Sequence, residues 1–457
     1  MSDISAHVCL SSNYTISSRK EISMRGDYVF RNFIDGIFYT RLLRVQLCYL
    51  FSMLLALTTN TTLAQELVPE AKLTERAAIE YALERPAFRQ TEEARIGIAD
   101  SVVLEKSVLP NPVVSVDYDN AAVPAGRARE SSVMVSQAFD ISGRRALGRE
   151  AAQNRLQAAQ FEVKSLQLKA IIDVRRTFAD SLYRQQQLDA HKTWLKRIKS
   201  ITETVSRLAG GGEASGYDRR RLEREVQIAQ TKLNAAEADA SRSRGLLSGL
   251  IARPISQSDG LDGNLIPDAP PRLETLTSII ERHPDLASLE AQAKAFERDR
   301  QAASRLKTPD LTLGIGAKHV QEPGFSDNGL MLSMSVPIPV FNFGQAQEQH
   351  AKSQGMMVQA ERSLKLSRVQ SELTGVWSQT SQLREAALAF QNDSETASKE
   401  LSHIAEASYR ADEGSLLELL DAYRSELEAN AIKLDLSLRA RLARIELDAL
   451  TGVTQYE

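Results

Sequence analysis

The stretch Asp412–Ala431 reads DEGSLLELLDAYRSELEANA. It opens on an acidic turn, passes through Ser415 and runs into leucines, the pattern of a capped helix start. Far upstream, Gly212–Ala229 reads GEASGYDRRRLEREVQIA. Laid side by side, Gly212 meets Asp412, Glu213 meets Glu413, Ser215 meets Ser415 and Asp218 meets Glu418, an offset of 200 residues. Other landmarks keep nearly the same spacing: Leu73 with Leu273, Pro86 with Pro284, Pro110 with Pro309, and Gly143 with Gly344. A repeat this long is two large half-domains, not a solenoid array of ~20–50-residue units.

Each half carries the same succession of patterns. Two short helical stretches come first, ended by prolines. Apolar–polar alternation follows at about 113–119 and 131–139, with Val114, Val116 and Tyr118, then Val133, Val135 and Phe139, on one face. In the second half it recurs at about 311–318 and 329–337, with Leu311, Leu313, Ile315 and Ala317, then Leu330, Leu332, Met334 and Val336. Period two with turn residues between the runs predicts antiparallel hairpins. From Gly143 to about Leu208 no proline interrupts a helical pattern, and the same holds from Gly344 to about Arg410. Each would be a rod of roughly 100 Å at ~1.5 Å per residue. Return helices to 251 and 450 make two long helical hairpins, 143–251 and 344–450, with tips at 210–215 and 412–415. The last helix presents Leu420, Tyr423, Leu427, Ala431, Leu434, Leu438, Leu442 and Ile445 as one apolar stripe.

The expected fold is mainly α with a small β part, internally duplicated. Long antiparallel helical hairpins form the wall of an α-barrel tunnel, and four strands per chain contribute to a transmembrane β-barrel. Four strands cannot close a barrel, since the smallest membrane barrels have ~8 strands, so several chains must combine. The organisation reads as a leader at 1–64, a first repeat at 65–252, a linker at 253–272, a second repeat at 273–452 and a tail at 453–457. In the leader, Arg41 and Arg44 precede the apolar run Val45–Leu57, and Thr62 and Ala64 suit signal cleavage after Ala64. Met24 is an alternative start. The two cysteines, Cys9 and Cys48, both fall in the leader, and net charge −3 gives no basic footprint for nucleic acid.

The stretches LTERAAIEYALERP, LPNPVVSV, VSQAFDISGRR, SVPIPVFNFGQ and EGSLLELLD resemble the TolC family of outer-membrane efflux channels, over about residues 70–452. SVPIPVFNFGQAQEQHA and SQAFDISGRRALGREAA are most similar to the branch serving heavy-metal pumps of the cobalt–zinc–cadmium type. The resemblance implies a homotrimer in the outer membrane with its helices in the periplasm. It implies a periplasmic adaptor (membrane fusion) protein and an inner-membrane proton-driven pump as partners. The tunnel would narrow at the hairpin tips, formed by Gly212, Glu213, Ser215 and Asp218 and by Asp412, Glu413, Gly414, Ser415 and Leu416. Asp412 stands where the family usually has glycine, so it would either stiffen the turn or add negative charge at the aperture.

Acidic residues at the tips either cap helices or, tripled about an axis, gate the conduit. The histidines, His7, His191, His283, His319, His350 and His403, show no i, i+3 or i+4 pairing, so neither a metal site nor a cofactor is expected. No Ser/His/Asp signature indicates an enzyme. Drug efflux and type I protein secretion share the fold and differ in cargo. A periplasmic coiled-coil adaptor or scaffold is the rival of another class, and predicts one hairpin without strands.

Overall fold

The computed structural model describes residues 72–211, 215–256 and 260–453. The leader assigned to 1–64 lies outside the described residues, as do Gly212, Glu213 and most of the tail. In chain order the elements are β1 (Leu73–Thr74), α1 (Glu75–Leu83), α2 (Pro86–Ser107), β2 (Val113–Val123), β3 (Gly126–Phe139), α3 (Arg144–Gly210) and α4 (Gly216–Ile251). Then follow β4 (Leu261–Asp262), α5 (Leu273–Ile279), α6 (Pro284–Ser304), β5 (Leu311–Glu322), β6 (Phe325–Ser335), α7 (Gln345–Phe390), α8 (Thr396–Arg410) and α9 (Leu416–Thr451).

The aligned landmarks of the two halves adopt matching local structures. Pro86 and Pro284 each occupy the first turn of a helix, where the missing N–H costs nothing. Gly143 and Gly344 both precede a long helix with positive φ, 72° and 91°, a conformation that suits glycine. Each long helix is anchored by a short polar side chain at its entry. Asp140 accepts from the Arg145 N–H at 2.7 Å, and Asn342 accepts from the Gly344 N–H at 3.2 Å.

The hairpins are not separate. β3 also pairs with β5, giving one antiparallel sheet in the order β2-β3-β5-β6. Its register aligns Val114, Val135, Ile315 and Leu332 in one cross-strand row and Val116, Val133, Ala317 and Leu330 in the next. On the other face the rows read Asp117, Ser132, Lys318, Gly329 and Val113, Ser136, Gly314, Ser333. The apolar rows lie open: Val116 is 71 % exposed, Leu332 76 % and Met334 72 %. The strands run further toward their turns than alternation alone suggests, to Val123 and from Gly126 in the first hairpin, and to Glu322 and from Phe325 in the second. Backbone pairing continues there between residues polar on both faces, such as Asn120 with Arg129, so the side-chain pattern ends before the ladder does.

α3 packs along α2, α4, α6 and α9, and α7 packs against α6 and α9. Three apolar clusters hold this wall. One gathers Ile79, Phe178, Leu247 and Ile445, a second Trp194, Ile198, Leu222 and Leu420, and a third Leu276, Leu286, Leu373 and Leu447.

Three expectations need correction. The second long helix is not uniform, because Gln391–Glu395 forms a π-helical turn between α7 and α8. α9 does not bury a single stripe. Ala431 is exposed and Leu442 36 % exposed, whereas Leu419, Ala440 and Leu447 are buried. Held between α3 and α7, it buries two faces. The segment expected as a plain linker is tied down. Leu261 and Leu265 are 3 % and 2 % exposed, β4 pairs in parallel with β1, and Gln185 hydrogen-bonds both backbone groups of Leu261. No described helix is long and apolar enough to cross a membrane.

Candidate functional site

The second hairpin tip is built by interlocking caps. α8 closes in a turn in which Glu413 N–H donates to Ser408 O at 3.0 Å and Asp412 N–H to Tyr409 O at 3.3 Å. This is the six-to-one and five-to-two pattern of a Schellman motif, whose pivot residue must be left-handed. Asp412 is that pivot, with φ 61°. Its place in the turn is what glycine would ordinarily fill. Gly414 follows in a tight space: a Cβ there would lie 3.1 Å from Ser408 Cβ and 3.2 Å from Tyr409 N.

The chain then enters α9 through a complete capping box. Ser415 Oγ accepts from Glu418 N–H at 3.2 Å, and the Glu418 carboxylate accepts from Ser415 N–H at 2.9 Å. Leu416 turns inward and is 9 % exposed, joining Leu419 and Leu420 in the cluster around Trp194. Asp412 and Glu413 remain exposed.

The first tip is simpler. Ser215 caps α4 by accepting from Tyr217 N–H at 3.1 Å, and Asp218 lies in the first turn, where a carboxylate complements the helix dipole. Tyr217 projects with 72 % exposure, followed by the exposed Arg219 and Arg220. Gly212 and Glu213 lie outside the described residues.

The two tips share an electrostatic environment. Burial pushes the Tyr409 phenol above its ordinary value, and the carboxylates of Asp218 and Asp412 push it the same way. Asp218 of the first tip and Asp412 of the second therefore act on one side chain. Behind them, burial and a hydrogen bond to Glu406 push the Tyr423 phenol up to about 12, while Arg197 stacks over its ring at 5.5 Å and pairs with Glu426 at 2.6 Å. Tyr409, Tyr423 and Arg197 are partners that the sequence reading missed. Tyr409 and Tyr423 sit on consecutive helices, but their partners Asp218 and Arg197 come from about 200 residues upstream, so the grouping carries no local signal.

Sequence-equivalent Asp218 and Glu418 differ in role. Only Glu418 completes a capping box. Both exposed carboxylates at Asp412 and Glu413 are free of a metal-binding arrangement: among the described residues, no group of three or more His, Cys, Asp or Glu side chains is placed to hold an ion. His283 caps α6, its Nδ1 accepting from Asp285 N–H at 3.2 Å and its Nε2 lying 3.3 Å from Ala449 O. The arrangement offers charge, hydrogen-bond donors and a rigid turn.

Residues 275–453 match the family model Outer membrane efflux protein. The chain is 23 % identical over 343 residues to the pyoverdine export outer membrane protein OpmQ of Pseudomonas putida, covering 71 % of this chain and 70 % of that one. The crystal structure of CusC superposes with a TM-score of 0.66 at 15 % identity, over 82 % of this chain and 91 % of that chain. The Campylobacter jejuni CmeC outer membrane channel superposes at 0.63 with 16 % identity, over 83 % and 85 %. The chain thus has the fold of the outer-membrane efflux channels, and its residues 275–453 carry the sequence pattern of the outer membrane efflux protein family.

Proposed function

We propose that the chain is the outer-membrane channel of a tripartite efflux pump, a passive conduit formed by three copies. The observation that carries this reading is the pairing of two surfaces in one chain. A four-stranded sheet exposes ordered apolar rows on one face, and a proline-free 67-residue helix, α3, starts five residues after that sheet's second strand ends. Strands of 11 to 14 residues are long enough for the ~9–11 needed to cross a bilayer. An apolar face of this kind is unstable in water and stable against lipid tails. The open edges at β2 and β6 are met by neighbouring copies.

In this reading residues 65–252 and 273–452 are two repeats, and residues 1–64 direct export with cleavage after Ala64. The tips at Ser215, Asp218 and Asp412–Leu416, together with Gly212 and Glu213, meet a periplasmic adaptor that is joined to an inner-membrane proton-driven pump. Heavy-metal cations are the proposed cargo, supported by the likeness of SVPIPVFNFGQAQEQHA to the metal-efflux branch. The similarity to OpmQ, a pyoverdine export protein, favours a second reading, export of a pyoverdine-like molecule.

Cell fractionation tests the channel reading. The mature protein is expected in the outer membrane as a heat-dissociable trimer, and a soluble periplasmic monomer would overturn it. Gene deletion tests cargo: sensitivity to zinc, cobalt or cadmium is expected. Sensitivity confined to antibiotics or detergents would refute the metal assignment and leave the conduit intact.

A further inference from the structure

The repeat builds the same joint twice, and one chain closes it once. Inside the chain the last strand of the first half meets the first strand of the second half, β3 against β5. The short helix α6 lies against α7 of its own half and α3 of the other, and buries Leu286, Ala291 and Ala295. Its counterpart α2 lies along α3 of its own half, and none of its residues is buried. Ile98 of α2 is 70 % exposed, and Met356 of α7, the counterpart of α3, is 61 % exposed. β2 and β6 end the sheet with open edges. The second joint, β6 and α7 against β2 and α2, is therefore unmade. Its two sides lie at opposite ends of one four-stranded sheet, too few strands to close on itself. Two different faces that complement each other make a head-to-tail contact, which closes into a ring of copies.

The internal joint is a template for the open one, because matched landmarks fix which residues correspond. Pro124 and Pro323 in the two hairpin turns set an offset of 199 residues for the strands. Pro86 and Pro284 set 198 for the short helices, and Arg144 and Gln345, the first residues of the long helices, set 201. The internal pair Ser136 with Gly314 then corresponds to Ser335 of one copy with Ser115 of the next. This register keeps apolar rows continuous, since Val135 with Ile315 becomes Met334 with Val116. In the helices, Arg155 of α3 pairs with Asp299 of α6 and lies over the Phe296 ring at 5.6 Å. Arg155 corresponds to Met356, Phe296 to Ile98 and Asp299 to Ser101. The open joint thus carries uncharged side chains where the closed one carries an ion pair. We propose that a second copy of this chain docks β6 and α7 on β2 and α2 in the register of the internal joint, with Ser335 opposite Ser115 and Met356 against Ile98 and Ser101. This deepens the three-copy reading and rests on it.

The full chain carrying Cys9→Ala and Cys48→Ala, which has no other cysteine, is the parent for the test. Ser115→Cys with Ser335→Cys is expected to give disulfide-linked dimers and trimers when outer-membrane fractions are oxidised, read on a denaturing gel without reductant. Asp119→Cys with Ser335→Cys keeps the same face but shifts the pair four residues, roughly 13 Å along the strand and beyond the reach of a disulfide, so it is expected to stay unlinked. Met356→Arg should lower the temperature at which the trimer dissociates, and adding Ser101→Asp should restore it by supplying the ion pair of the internal joint. A heat-dissociable trimer that links through Asp119→Cys, or through neither pair, would overturn the register while the three-copy reading stands. A monomeric parent would overturn both. A trimer indifferent to Met356→Arg, or one that Ser101→Asp does not rescue, would overturn the helical contact.

Discussion

At the scale of single residues, Asp412 carries the most information about the second tip. It holds a left-handed conformation that ordinary L-residues adopt at a cost of about 1–2 kcal/mol, less for aspartate with its short polar side chain. The capping box at Ser415 and the Schellman hydrogen bonds hold it there. Asp412→Gly should remove that strain and stabilise the turn by about 1 kcal/mol. Amide exchange at Glu413 and Gly414 should slow severalfold, and faster exchange would show that the aspartate side chain itself supports the turn. The same substitution removes a carboxylate from beside Tyr409, so the Tyr409 phenol should titrate lower than in the parent protein.

Among the elements, the sheet and the π-helical turn make separate predictions. Leu332 and Ser333 are neighbours on β6 that face opposite sides. On the lipid-facing reading, Leu332→Arg should destabilise the inserted sheet by about 2–4 kcal/mol if it lies near the bilayer midplane. Ser333→Arg, on the polar face, should be tolerated. Outer-membrane yield after fractionation separates them, and equal yields would contradict the lipid-facing assignment. In the π-helical turn, Glu395 bonds Lys399 at 2.7 Å and Lys433 of α9 at 2.9 Å. Burial would raise its carboxyl, but the hydrogen bonds and charges of both lysines outweigh this and hold it below 4.5. A depressed carboxylate contributes stability that is present above its unfolded value and is lost as pH falls through its folded value. Taking the protein from pH 7 to about pH 3 should therefore lower the protection of amides in 391–400, measured as exchange relative to the intrinsic rate at each pH. Glu395→Gln should exchange faster at pH 7 and respond less to acid. An undiminished acid response would assign the effect to other carboxylates.

Across the whole molecule, a buried ion network fastens the first helix to the long ones. Glu75 of α1 accepts from Arg175 of α3 at 2.7 Å and from Arg441 of α9 at 2.6 Å, and Arg175 also reaches Asp448 at 2.9 Å. Arg444 closes the group on Asp448 at 3.0 Å. All but Arg444 are no more than 7 % exposed at the side chain. Removing Glu75 from this network leaves three arginines facing the single carboxylate of Asp448 in a poorly solvating place, a charge imbalance costing up to about 3–5 kcal/mol. Glu75→Ala strips the shared partner from two arginines and should lower the thermal transition accordingly. A shift no larger than that of an exposed pair, such as Arg76→Ala at the edge of the same helix, would show that the arginines find other acceptors.

Much of this was legible in the chain. Alternation at Val114–Tyr118 and Leu330–Val336 marks strands because side chains of a strand alternate between faces. The prolines at 86 and 284 and the glycines at 143 and 344 mark the same joints twice, because each fits a backbone conformation unfavourable to other residues. Local rules therefore determined the helices, the strands, the caps and the duplication. What they could not determine was which elements touch. The pairing of β3 with β5, the two buried faces of α9, and the meeting of Glu75 with Arg175 and Arg441 all join residues from remote parts of the chain. The leucine stripe on α9 was visible, whereas the burial of Arg441 and Asp448 beside it depends on contacts with α1 and α3. Likewise Ser415 could be read as a helix cap from sequence, while the left-handed turn at Asp412 could not. Short-range sterics and hydrogen bonding settle the local conformations from sequence. Burial, and with it the pairing of charges, depends on what the folded chain brings alongside, and only the tertiary structure decided that.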